Sequence, residues 1–137
     1  MQQSLVREEF SLFSLEIGKS ETDLSNVDEI INHFMSHIED DPSAEYIATF
    51  DHYAHTSRLP NGQIHEDILA ARNILFCFGF ALPAPEVMAV RPRSIGVVEL
   101  PDSFFITFME APMPVANTAM ESWAQSLCNK QRQSESA

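Results

Sequence analysis

Asp51, His52, Tyr53 and His55 crowd the end of one strand-like segment, and a second, Ile74 to Phe78, carries Cys77 just before Gly79. Strand ends are where a rigid scaffold commonly presents its chemistry. An imidazole beside a carboxylate can work as acid and base, and a thiol near an imidazole can become a nucleophile. His52, His55 and His65 with Asp51 could also offer donors to a divalent metal. Asp51, His52 and Cys77 are therefore the catalytic candidates, and His52, His55 and His65 the metal candidates. Each has a plainer alternative. In a continuous strand Asp51 and His52 point to opposite faces, so they share a pocket only if the strand bends or ends between them. Cys77 lies in an unbroken apolar run between Phe76 and Phe78, the setting of a buried, inert thiol. Isolated histidines more often hydrogen-bond than ligate, and no motif of known catalytic spacing is present.

A second chemistry-bearing segment is Arg91-Pro92-Arg93-Ser94, which holds two of only eight Lys and Arg. Two guanidinium groups flanking a rigid proline can grip a carboxylate or phosphate. The alternative is an ion pair with the acidic surface of the same chain. The ligand-binding candidates are thus His52, Tyr53, His55, Arg91 and Arg93. His33 and His37 are one helical turn apart, but they share a polar side with Asn32 and Ser36 and are expected to be a solvated pair.

The elements that must position these residues are readable from periodicity. Phe13, Leu15 and Ile17 alternate with Ser14 and Glu16 and predict a strand ended by Gly18. Ser25 as N-cap, with Val27, Ile30, Ile31, Phe34 and Ile38 at helical spacing, predicts a helix that Asp41-Pro42 stops. Glu45 to Phe50 predicts a strand, Thr56 to Gly62 a loop, Ile64 to Arg72 a short helix, and Asn73 to Phe78 another strand. After the breakers Pro83 and Pro85 comes a short helical turn at Glu86 to Val90. Ile95 to Met109 predicts a β-hairpin that reverses at Pro101-Asp102-Ser103. Ala116, Ala119, Met120, Trp123 and Leu127 then mark one face of a last helix. The expected fold is single-domain α+β, a mainly antiparallel curved sheet covered by helices on one face. Tyr46, Phe50, Phe105 and Trp123 are expected to line it as core. The expected domain is the whole of 1–137, with an ordered core over about 9–129 and a frayed tail over 130–137.

With 137 residues and 45% hydrophobic content the chain can build one core without disulfides or a structural metal. Cys77 and Cys128 belong to no C-x-x-C or Cys/His spacing, which favours reduced thiols and a cytoplasmic setting. A net charge of −12 argues against nucleic acid as partner. No window approaches the ~20 apolar residues of a membrane span. Between Lys19 and Arg58 there is no Lys or Arg at all, and the acidic residues of that span read as a solvated face.

The amphipathic helix, the strand ending in Asp51-His52, the strand ending in Gly79, the link with Pro83, Pro85 and Met88, and the hairpin ending in Ala111-Pro112 together resemble a bacterial family, the "domain of unknown function 302". The resemblance covers about residues 10 to 127. It departs where Phe80-Ala81 stands for Asn-Pro and where Glu110-Ala111-Pro112 stands for Asn-Asp-Pro. It implies a fold similar to the TATA-box-binding-protein-like class and no assigned reaction; a fold name carries no DNA binding with it. The functional expectation is a self-associating (homodimeric) or accessory binding module for a small or anionic ligand or a protein partner. The alternative is a metal-dependent or acid/base enzyme built on Asp51, His52 and His55. No motif specifies a cofactor.

Overall fold

The computed structural model describes residues 1–2 and 11–130. In chain order these are β1 (Leu12–Gly18), α1 (Val27–Asp40), β2 (Ala44–Asp51), α2 (His52–Ser57), β3 (Ala70–Phe78), β4 (Arg93–Glu99), β5 (Ser103–Met109) and α3 (Pro114–Gln125), with short 3-10 turns at Lys19–Glu21 and Pro85–Ala89. The strands form one antiparallel sheet in the order β1-β5-β4-β3-β2. This is a single-domain α+β fold. The hairpin β4-β5 reverses at Leu100–Asp102, where Leu100 N donates to Ser103 O. Of the tail expected over 130–137, Lys130 is tied by its N–H to Glu21 O, and the rest lies outside the described residues.

Alternation along the strands sorts side chains between two faces. On one, Ile17, Ile74, Phe76, Phe78, Ile95, Val97, Phe104, Ile106 and Phe108 are buried beneath α1 and α3. The helix α1 starts one residue later than its sequence suggests: Asn26, not Ser25, is the N-cap, accepting from Glu29 N at 2.9 Å. Its buried stripe of Val27, Ile30, Ile31, Phe34 and Ile38 is the one that the periodicity predicts. Trp123 of α3 is 6% exposed, stacked on Phe78 with centroids 5.7 Å apart and edge-on to Phe76 at the same distance.

Three expectations need correction. Ile64 to Arg72 contains no helix; the segment is irregular until β3 begins at Ala70. The pair Phe50 and Phe105 does not line the core. A register shift between Tyr46 and Ala48 moves Phe50 to the other face, 41% exposed, and in β5 it is Phe104 that is buried. The histidines of α1 are not simply solvated. His33 Nε2 lies 2.7 Å and His37 Nε2 3.2 Å from Ser126 Oγ, at the C-cap of α3, while that hydroxyl donates to Trp123 O.

This junction makes stability depend on pH. Burial, then the neighbouring His37, hold His33 below the usual histidine value, partly opposed by Asp23. As the pH falls below about 6.5 the unfolded chain takes up the proton before the folded one, so the stability present at neutral pH is lost on acidification. The urea midpoint is expected to drop between about pH 7 and pH 5, and the drop is expected to be shallower in His33→Gln. Equal slopes in the two chains would remove His33 from this account.

Candidate functional site

The first candidate cluster forms where β2 ends. The strand stops at Asp51, whose carboxylate caps α2 by accepting from Ala54 N at 2.9 Å. Asp51 Oδ1 also lies 3.1 Å from Arg72 Nη1. Asp51 is thereby committed to a cap and an ion pair. His52, first in α2, is exposed and turned to the sheet face opposite the core, where its Nδ1 lies 3.1 Å from Asn73 Oδ1. Asn73 Nδ2 donates to Ser94 Oγ at 3.2 Å, so the amide oxygen is the acceptor and His52 Nδ1 the donor. Phe50 and His55 complete an aromatic group, with centroids 5.2 Å from Phe50 to His52 and 5.3 Å from Phe50 to His55.

The other members of the sequence-based site stand apart. Cys77 is four strand residues from Asn73, about 13 Å along β3, so it has no imidazole partner in His52. Its Sγ is half-buried and directed to Phe78 O at 3.7 Å. His65 lies on the 58–69 loop, accepting from Asp67 N at 3.1 Å. With Tyr53, Thr56 and His52 it borders a shallow, open depression. Among the described residues no group of three or more His, Cys, Asp or Glu side chains is arranged to hold a metal ion. An exposed His52 with a single neutral hydrogen bond predicts a small effect of truncation: His52→Ala should cost no more than about 1 kcal/mol in chemical denaturation. A loss well above that would mean that His52 is a structural keystone of α2.

The second candidate is a true cleft. Phe78 at the end of β3, Val87 and Val90 of the 85–90 turn, and Ala111, Met113 and Ala116 before and within α3 enclose it, with Arg91 and Arg93 at its wall. It encloses about 440 Å³ of empty space, its open mouth included. Prolines punctuate both walls, Pro83 and Pro85 on one and Pro112 and Pro114 on the other. Asn117 fixes the second wall by clamping Ala111, accepting from its N–H at 2.6 Å and donating to its carbonyl at 2.8 Å. Gly79 fixes the approach of Arg91. Its φ of +91° is open to glycine, and a Cβ there would sit 3.2 Å from Arg91 Nη2.

The two arginines are not neutralised. The ion pairs of the described residues go to Lys19, His65 and Arg72, and Arg72 rather than Arg91 or Arg93 reaches α1, at Asp28. Arg91 Nη1 donates to Ala81 O; Arg93 donates to Val90 O and Met109 O, all backbone carbonyls. Arg93 Nε is buried and has no hydrogen-bond partner among the described residues. Loss of water pushes the Arg93 guanidinium below its usual value, and no nearby anion offsets that. Both arginines were candidates from sequence; the apolar walls were not, and the only sequence signal for them is the paired prolines.

Fold and sites together define a small α+β domain with one apolar, cation-lined cleft and one polar cluster on the opposite sheet face. The chain belongs to a family of unknown function, DUF6858, whose model matches residues 1–129. That match does not confirm the resemblance to the "domain of unknown function 302" family or to its TATA-box-binding-protein-like fold. No curated protein and no solved structure matches the chain.

Proposed function

We propose that the protein is a binding module for an amphipathic anion, a carboxylate carried on an apolar body, taken into the cleft beside Arg91 and Arg93. The observation that carries this reading is that in a chain of net charge −12 these two arginines have no carboxylate partner among the described residues. An uncompensated, half-desolvated cation costs free energy unless an anion arrives to meet it. The walls of Phe78, Val87, Val90 and Ala116 would take the apolar body while the guanidinium fork takes the carboxylate. No helix of the described residues is long and apolar enough to cross a membrane. The thiol of Cys77, outside any disulfide, suits a reducing, cytoplasmic setting, and the acidic surface gives nucleic acid no purchase.

The test is a calorimetric titration with octanoate and with octanol. Saturable binding of the acid, at least about tenfold tighter than the alcohol, supports the reading. Equal affinities, or no binding by either, count against it.

A further inference from the structure

We propose that the sheet face opposite the core is a self-association surface on which two copies of this chain pack face to face, centred on Gly96. This inference is independent of the cleft.

Gly96 is the middle residue of β4, and β4 is the middle strand of the five. A glycine there weakens a strand, and in such a position it usually marks a bulge, a bend or the close approach of another molecule. Pairing with β3 runs through Gly96 without a register shift, so no bulge lies against β3, while the pairing with β5 covers Gly96–Glu99 and ends at Gly96↔Thr107. Its φ lies outside the positive range, since Gly79 is the one glycine with positive φ among the described residues. A Cβ built on Gly96 would meet Thr107 Cγ2 and Thr107 O at 3.5 Å and Asn73 Nδ2 at 3.7 Å, ordinary contacts. The chain's own fold would accept alanine. Without a Cβ at Gly96 the centre of this face also admits close approach from outside.

The composition of the face agrees. Across its strands the charged residues are Glu16 on β1 and Glu45 on β2, one at each outer edge, in a protein of net charge −12. Depletion of charge over a contiguous surface is the compositional mark of an interface centre. The polar side chains between those edges already satisfy one another. Ser14 Oγ lies 3.0 Å from Thr107 Oγ1, which donates to Phe13 O at 3.0 Å, and the Ser94–Asn73–His52 chain spans the other half. Groups paired in this way lose little when water is expelled. Half-buried Phe105, Val98 and Leu75 supply apolar area.

A second copy is the occupant that fits. Two molecules of this charge repel except through a charge-poor face, and a two-fold axis through the sheet centre would set Gly96 against its counterpart. Five strands at about 4.8 Å and seven residues at about 3.3 Å give a face near 550 Å², part of which α2 and the 58–69 loop overlie near Ala71 and Asn73, so two copies cover at most about 1,100 Å², at the lower bound of a specific interface.

Sedimentation equilibrium of the full chain over a range of concentrations tests this, with Ser94→Glu and Gly96→Ala as variants. Ser94 is exposed, so a glutamate there leaves the fold intact, which circular dichroism checks. The expected result is a dimer whose dissociation constant rises at least about tenfold in Ser94→Glu, where like charges meet, and measurably in Gly96→Ala. A parent that stays monomeric throughout, whether alone or holding a small molecule, overturns the proposal. So does a dimer that Ser94→Glu leaves unchanged, because its interface then lies elsewhere.

Discussion

Trp123→Ala is expected to lower the free energy of unfolding by about 3 to 5 kcal/mol, a large part of the ~5 to 15 kcal/mol that holds a domain of this size together. The indole is 6% exposed and stacks on Phe78 while meeting the edge of Phe76, so its removal forfeits transfer energy and leaves a hole between α3 and β3. His37 also lies against it, with centroids 6.3 Å apart. Neighbouring side chains are the rigid Phe pair of a central strand, which cannot collapse into the space. Urea titration should show the midpoint falling with little change in slope. A variant that unfolds together with the parent would mean that α3 is not part of the cooperative core.

Arg93→Gln is expected to weaken binding of an apolar carboxylate by about 1.5 to 3 kcal/mol, tenfold or more in Kd, with Arg91→Gln in the same direction. Glutamine keeps most of the side chain's length but withdraws the positive charge from the cleft wall. For the alcohol, which presents no anion, the same substitutions should change affinity little. Titration of both ligands into parent and variants checks this. Equal losses for acid and alcohol would show that the arginine stems, not their charges, matter to the cleft.

What could be read from the sequence was whatever repeats. The alternation of Phe13, Leu15 and Ile17, the 3.6-residue stripe of α1 and the turn at Pro101-Asp102 each survive in the structure because local pattern and burial agree there. What could not be read depended on register. Tyr46 and Phe50 share a parity, yet one extra residue between Tyr46 and Ala48 sends them to opposite faces. Phe104 and Phe105 are chemically identical neighbours, and only the pairing of Phe104 with Ile17 and Phe105 with Glu16 decides which is core. Ile64 and Ile68 have helical spacing but lie in an irregular segment. The helix instead follows Asp51, which looks like a strand end and acts as an N-cap.

The candidate site was legible by halves. Arg91 and Arg93 stood out as cations in an acidic chain, but their alternative, an ion pair with the acidic helix, is taken by Arg72, a residue that the sequence placed in a helix. The cleft walls come from segments 20 or more residues apart, Phe78 to Val90 and Ala111 to Ala116, and their meeting is a fact of topology that no local pattern announces.

The most direct test of the central claim is a two-dimensional NMR titration of the isotope-labelled full chain with octanoate, following backbone amides and the Arg93 Nε–H. That N–H is buried without a partner among the described residues, so it should move most when a carboxylate arrives, together with the amides of Val87, Val90, Ala111 and Ala116. Shifts confined to the His52–His65 region, or an Arg93 Nε–H that stays fixed while the ligand saturates, would contradict the account.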